Sequence, residues 1–434
     1  MRISTLQHRL ALLLPVLLLG YGIIANVQHL IGGPWLQAGF VQLLAALLLI
    51  PLLIAIPQRV PRLPSIPLLV FALVSAAVVT AQAVVAARTL PDALSNILAS
   101  SVPPLVLLSA LAFYQGGAQR PNQRILPIIV LAALSLGIAQ WWLRDPLVWL
   151  GDEGWRPIIW QGDYLGPNEY IIRAFSIFSS PVQYGVVAVG TALLGFARLL
   201  SSPRGWVWSV GLAALGTVSV IASLNRTAWT GLAAGLLLMW LLQWGRRRSG
   251  RQQMTQTRRI RSKRISISPA WMVMIPIVIT ATSMLGPGIA EWAIEQGIVP
   301  REGARTLIIR LQDYPVALSR ALANAQQVFL GSADFAAVTA VDSTRADGVK
   351  SLPLDNELLY LLVRYGIWGP LLMLSILGTL AVWAQREWRR TGDAALLATL
   401  GLLTAWSLSQ TANVVYSHEL PVLAVLILLA RRRA

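Results

Sequence analysis

Cysteine is absent from the 434 residues, which excludes disulfides, thiolate nucleophiles and Cys-ligated metals. Histidine is nearly absent: His8, His29 and His418 are the only three, none in an HExxH arrangement, so neither a protein-built zinc site nor any other metal or cofactor is expected. Charge is scarce at 12% of residues, and acidic charge is scarcer, with 18 Asp and Glu against 35 Lys and Arg. No fixed-period repeat is visible and the two halves do not echo each other, which argues against a transporter built from inverted repeats.

What is abundant is apolar sequence, 56% of the chain. A soluble protein could not cover that much apolar surface with so little charge, whereas lipid needs no such cover. Apolar runs of about 17 to 25 residues, each long enough to cross a hydrocarbon core, follow one another. They lie near Leu10–Leu30, Trp35–Ile56, Ile66–Ala87, Ala93–Phe113, Ile125–Trp142, Ile177–Phe196, Trp206–Ser223, Thr227–Trp244, Pro269–Ala290, Leu358–Ala384, Ala394–Ser409 and Val414–Ala430. The first run is longer than a signal-peptide core and reads as a retained helix. The expectation is an all-α polytopic membrane protein of about twelve transmembrane helices. Residues 1–290 would hold nine, with a basic loop at 245–268, followed by a long outer loop at 291–357 and three more helices in 358–434.

The distribution of charge orients this arrangement, because cytoplasmic loops retain Lys and Arg. With both termini inside, Arg2 and Arg9, Arg59 and Arg62, Arg120 and Arg124, Arg198 and Arg204, the run Arg246–Arg264, Arg386 to Arg390, and Arg431 to Arg433 all fall on the inner side. Only Glu387 and Asp393 oppose these 23 basic residues there, so the inner side carries +21 and the outer side, by difference from the net +17, −4. The basic loop therefore reads as a topology anchor touching anionic headgroups, and nucleic acid is not an expected partner. Most tryptophans near span ends fit interfacial anchoring, while Trp149, Trp155 and Trp160 on outer loops could stack on a sugar. The spans carry almost no ionisable residue at mid-depth, and polar residues collect at their outer ends.

Three outer positions stand out. Arg173 sits before the sixth span, Arg226 sits in a hairpin with almost no loop, and the long loop carries Arg305, Arg310 and Tyr314 before closing on Asp355-Asn356-Glu357. From Arg305 to Phe329 the apolar positions Leu307, Ile308, Leu311, Leu318, Leu322 and Ala325 predict an amphipathic helix bent near Pro315 and ended by Gly331, with a polar flap after it. Guanidinium forks match phosphate oxygens, so arginines at headgroup depth suit a diphosphate leaving group. A carboxylate such as Asp355 or Glu357 could accept the proton of an attacking hydroxyl. Bland roles fit the same residues: Arg173 and Arg226 as snorkelling anchors, Arg310 paired with Asp313, and Asp355-Asn356 as a helix cap.

The segments Arg173-Ala-Phe-Ser-Ile-Phe-Ser-Ser-Pro181, Ser223-Leu-Asn-Arg226-Thr-Ala-Trp-Thr-Gly231, and Asp355-Asn356-Glu357-Leu-Leu-Tyr360 continuing to Tyr365-Gly366-Ile367-Trp368-Gly369 resemble the O-antigen ligase and O-antigen polymerase superfamily. The resemblance covers roughly residues 173–370. It implies a C-type glycosyltransferase-like fold in the bacterial inner membrane. It also implies a metal-independent, inverting transfer between undecaprenyl-pyrophosphate-linked glycan donor and acceptor at the periplasmic face, with a chain-length regulator and a flippase as partners. By motif position Arg226 and Arg310 match the arginines that engage the pyrophosphate, with Arg305 a rival for Arg310 and Tyr314 standing where the family often has tryptophan. Arg173 would assist, Asp355 would activate the acceptor hydroxyl, and Asn356 and Glu357 would orient the acid or the acceptor. The ligase branch usually carries His-Asn where this chain has Asp355-Asn356, which favours a polymerase. A ligase acting on lipid A core or protein, a lipid-linked sugar transporter, and a non-catalytic scaffold are the alternatives.

Overall fold

A computed structural model describes residues 62–85, 90–116, 125–145, 147, 159–160, 171–176, 178, 181–201, 205–255, 268, 270–284, 288, 292, 295–296, 314–332, 356–409 and 416–430, together with Leu47. The chain is an α-helical membrane protein. Its principal elements are α1 (Arg62–Val85), α2 (Leu90–Gly116), α3 (Ile125–Leu143), the two-residue strands β1 (Ile159–Trp160) and β2 (Ile171–Ile172), α4 (Pro181–Ser201), α5 (Trp206–Ala222) and α6 (Arg226–Thr255). They continue with α7 (Trp271–Met284), α8 (Ala325–Leu330), α9 (Glu357–Tyr365), α10 (Trp368–Thr391), α11 (Ala394–Ser409) and α12 (Tyr416–Leu429). Among the described residues, five helices are long and apolar enough to cross a membrane: those containing Pro64–Val85, Asn96–Gln115, Pro181–Ser201, Arg226–Arg246 and Trp368–Thr391. Shorter apolar helices occur in α3, α5, α7, α11 and α12.

The centre of the bundle is α11. Its sequence is apolar on every side, and a helix without a polar stripe has to be enclosed. It packs against α4, α6, α7, α10 and α12. The outer helices instead expose apolar side chains, such as Leu69 and Leu73 on α1 and Val207 and Trp208 on α5, as a lipid-facing surface does. Where α4 crosses α5 the backbones nearly touch. A Cβ on Gly195 would come within 2.4 Å of the Ala213 nitrogen, and one on Gly216 within 2.5 Å of the Ala192 nitrogen. Small residues at the crossing are what permit this approach.

The structure departs from the predicted elements in several places. The apolar run Leu358–Ala384 is not one span: it divides into α9 and α10 at Gly366, whose φ is 64°. The break is set by a contact distant in sequence, because Ile367 N–H donates to Val328 O at 2.8 Å and α10 starts at the next residue, Trp368. A Cβ on Gly366 would lie 2.5 Å from that carbonyl, and Gly331 (φ 68°) faces Arg364 O in the same way. The basic stretch assigned to a loop from 245 is helical through Thr255, with the Arg246 guanidinium 5.6 Å from the Trp388 ring. Two of the predicted spans, Leu10–Leu30 and Trp35–Ile56, lie outside the described residues apart from Leu47.

In the polar stretch between α7 and α9, residues 314–321 are helical; residues 305–313, and with them the bend expected near Pro315, lie outside the described residues. Tyr314, Ala317 and Ala321 form the buried face against Leu359, Leu362 and Val363 of α9. Leu322 and Ala325, predicted to be inward, are exposed. Asn324 then caps α8, accepting from Gln327 N–H at 2.8 Å. Gly331 ends the pattern as expected.

Gly366→Ala is expected to destabilise the protein by about 1–3 kcal/mol, the usual cost of forcing a side chain into a left-handed or crowded backbone. The thermal midpoint in detergent should fall and proteolysis within 314–332 should accelerate. An unchanged midpoint contradicts the role given to this glycine.

Candidate functional site

The C-terminal ends of α3 and α5 and the N-terminal ends of α4 and α6 meet at the segment after β2. β2 pairs antiparallel with β1, Ile172 opposite Ile159. The segment that follows cannot use a regular ladder, so its backbone is satisfied by side chains. The Gln140 carboxamide in α3 accepts from Ser176 N–H at 2.6 Å and Phe175 N–H at 3.3 Å, and donates to Ser176 O at 3.3 Å. Ser176 (φ 56°) donates its hydroxyl to Ala133 O at 2.5 Å. Ala174 N–H donates to Ala222 O at 2.9 Å, tying the segment to the end of α5. With its backbone so fixed, Arg173 reaches the α5–α6 hairpin, where its Nε donates to Ser223 O at 3.3 Å. Burial lowers the Arg173 pKa from the ordinary guanidinium value, yet a guanidinium keeps its charge in proteins.

The hairpin is built by short-range bonds of a few polar residues. Ser223 caps α5, Leu224 takes a positive φ of 47°, and buried Asn225 caps α6 by accepting from Thr227 N–H at 3.1 Å and Thr227 Oγ1 at 2.5 Å. Trp229 Nε1 donates to Val220 O at 2.8 Å, closing the turn from outside. Arg226 is the first residue of α6 and is exposed. A cation is unfavourable at a helix N-terminus, where the free N–H groups and the macrodipole favour an anion. Arg173 adds a second cation within the same hairpin. Among the described residues no carboxylate pairs with either arginine.

A second cluster lies one helix away. Asn356 caps α9 by accepting from Leu359 N–H at 3.1 Å, and its amide donates to Thr280 Oγ1 at 3.2 Å. The sequence left the cap between Asp355 and Asn356; Asn356 holds it. Glu357 is fully buried, accepting the Trp406 Nε1 proton at 3.0 Å. It is an internal group, not one that faces the loop. Tyr314 likewise is 3% exposed in the packing on α9. Arg305, Arg310 and Asp355 lie outside the described residues.

Beside the hairpin is a small, partly open cavity of about 20 Å³, room for about one water molecule. Asn225, Thr227, Ala228 and Gly231 of the hairpin and α6 form one wall, α4 contributes Val182, Val186 and Val189, and α11 contributes Leu402, Ala405 and Ser409. Glu419 of α12 completes it, 2% exposed. The sequence reading passed over Glu419 because it treated the last run as apolar throughout. The signal was available: an ionisable residue inside an apolar span is expensive and marks a functional position.

Comparison with known proteins yields no homologue, since no family model matches the chain and no curated protein matches it in sequence.

Gln140→Leu leaves the Ser176 and Phe175 N–H groups buried without acceptors, at about 1–3 kcal/mol for each unsatisfied group. Amide hydrogen exchange at 174–176 is expected to accelerate at least tenfold while the α10–α11 amides are unchanged. Equal protection in wild type and variant overturns the pinning role.

Proposed function

We propose that the protein is a membrane-embedded glycosyltransferase that polymerises undecaprenyl-pyrophosphate-linked repeat units at the periplasmic face of the bacterial inner membrane. In this reading it has about twelve spans of the C-type architecture, with both termini cytoplasmic. The observation that carries the reading is the pair Arg173 and Arg226, joined through Ser223 on one hairpin at a helix N-terminus and without a carboxylate partner among the described residues. Two unpaired guanidinium groups on the surface of a lipid-facing bundle call for an anion that the membrane itself supplies, and a lipid pyrophosphate has the matching oxygens.

In the proposed reaction Arg226, with Arg310 and the rival Arg305 from the outer loop, binds the donor pyrophosphate and Arg173 assists. The acceptor hydroxyl oxygen attacks the anomeric carbon from the side opposite the pyrophosphate. The bond between the anomeric carbon and the bridging phosphate oxygen breaks, its electron pair leaves with the lipid pyrophosphate, and the arginines neutralise that charge. Asp355 takes the hydroxyl proton. The anomeric configuration inverts because bond formation and cleavage occur on opposite faces. A chain-length regulator and a flippase remain the partners implied for such an enzyme.

Arg226→Ala is expected to reduce glycan lengthening at least 100-fold at unchanged protein level, measured as glycan length on the carrier lipid with purified protein and defined repeat units. Arg226→Lys is expected to recover little, because an ammonium lacks the bidentate fork. Undiminished polymer in Arg226→Ala sinks the assignment. Transfer of finished glycan to lipid A core without lengthening identifies a ligase instead.

A further inference from the structure

Among the described residues, four that are not glycine take a positive φ: Arg144 (53°), Leu147 (54°), Ser176 (56°) and Leu224 (47°). All four belong to the corner that carries Arg173 and Arg226. Leu224 is in the hairpin, Ser176 is in the segment held by Gln140, and Arg144 and Leu147 directly follow α3, the helix on which Gln140 stands. Left-handed backbone strains a residue with a side chain, and such residues gather where a function retains them. Arg144 is the cation among them. It occupies the position that a helix-ending turn reserves for glycine, with Asp145 N–H donating to Gln140 O at 3.2 Å around it. The same Gln140 gives its carboxamide to residues 175 and 176. One residue therefore fixes the turn of Arg144 with its main chain and the segment of Arg173 with its side chain. Arg144 lies about 6 Å past Gln140 along the helix axis.

Local structure does not account for an arginine there. The macrodipole favours a cation at a helix C-terminus, but Trp142 and Leu143, in the last turn of α3, stand at positions that offer the same benefit without strain. Arg144 is exposed, and among the described residues no carboxylate pairs with it. Its neighbour Asp145 is turned to the backbone, accepting from Leu147 N–H at 2.7 Å. The exposed side chains beside it are apolar: Trp142, Leu143 and Leu147. Trp141 and Trp142 close an apolar helix, which is how tryptophans mark the depth where lipid headgroups begin. The anion that suits Arg144 is therefore one carried by a lipid. With Arg144 the corner holds three guanidinium groups, at the end of α3, after β2 and in the hairpin. Two forks match the oxygens of a single phosphate, whereas a diphosphate brings a further phosphate group for the third.

We infer that Arg144 is a specificity-determining residue of this site, the third guanidinium that makes the corner prefer a lipid diphosphate to a lipid monophosphate. The inference rests on the reading of Arg173 and Arg226 as a lipid-pyrophosphate site and deepens it. The strained turn persists because the side chain at this position has that use.

Arg144→Gly separates the turn from the guanidinium, because glycine suits the left-handed backbone and removes the charge. In nanodiscs of zwitterionic lipid its thermal midpoint is expected to equal or exceed that of wild type. Its Kd for farnesyl diphosphate is expected to rise about tenfold or more, the usual effect of losing a hydrogen bond to a charged group, with a change of at most about threefold for farnesyl monophosphate. Arg144→Asn, which also tolerates the turn, is expected to behave alike, and Arg144→Lys to recover only part of the affinity. Inorganic pyrophosphate tests the source of the anion and is expected to bind wild type at least about tenfold more weakly than farnesyl diphosphate, since it lacks the apolar tail. Equal losses for monophosphate and diphosphate overturn the inference, as does an unchanged diphosphate affinity; equally tight inorganic pyrophosphate overturns the lipid source. A midpoint lowered in both Arg144→Gly and Arg144→Asn overturns the account of the turn. If the diphosphate binds through Arg144 but no glycan is lengthened, the glycosyltransferase reading fails and the site stands. If lengthening depends on Arg226 while Arg144→Gly changes neither lengthening nor diphosphate affinity, this inference fails and the glycosyltransferase reading stands.

Discussion

A polar group inside an apolar bundle must find its partner within the protein, because no water replaces one that is missing. That constraint organises the outer end of this molecule. Gln140 spends its carboxamide on the backbone of 175–176, Asn225 and Asn356 spend theirs on helix starts, and Trp406 spends its N–H on Glu357. Gln82 on α1 does the same further out, donating to Leu330 O at 2.6 Å and Arg364 O at 2.7 Å across the seam between outer loop and bundle. Each bond also fixes a geometry, so the requirement to satisfy buried groups is what holds Arg173 against the Arg226 hairpin. The groups that escape the rule are then informative. Among the described residues Arg226 pairs with no carboxylate, and Glu419 Oε2 is one of eight buried side-chain atoms without a hydrogen-bond partner.

The outer loop follows from the same physics combined with close backbone approach. Residues 314–332 do not form a separate domain. They lie against α9 through a small apolar seam, and they end in two reciprocal contacts, Ile367 N–H to Val328 O and Ser332 N–H to Val363 O at 2.7 Å. Such contacts need carbonyls at a distance no side chain permits, which is why Gly331 and Gly366 face each other's strands of backbone. The result couples the helix start bearing Asn356 and Glu357 to the stretch that begins at Tyr314.

What the sequence could disclose was local. The ends of α3 and α11 were legible because apolar runs there stop at polar or turn residues, and the α5–α6 hairpin because Ser223-Leu224-Asn225 is capping chemistry that two long apolar runs enclose. The break at Gly366 was hidden, since a glycine in an apolar run is compatible with a continuous helix, and what breaks it is a carbonyl 39 positions earlier in the chain. The extension of α6 to Thr255 was hidden because Arg and Gln signal a loop by polarity yet favour helix by propensity. Tyr314 was a site candidate by position alone; nothing local to it announces that Leu359 and Val363 will cover it. Of the candidate site, the arginine hairpin could be read in one dimension, whereas the cavity joining α4, α6, α11 and α12 exists only after packing.

The relation between Glu357 and Glu419 illustrates why that last step matters for chemistry. In sequence they are 62 positions apart and look like two unrelated helix-start acids. Folding brings both against α11, which supplies a donor to one and none to the other's Oε2. Two carboxylates in one poorly solvated region cannot be equivalent, so an asymmetric set of donors assigns them different work. Glu357 becomes part of the scaffold at the start of α9. Glu419 keeps Oε2 without a partner at the edge of the small cavity. The same division separates Arg173, whose guanidinium is bonded to the hairpin it steadies, from Arg226, which stands exposed at the helix start.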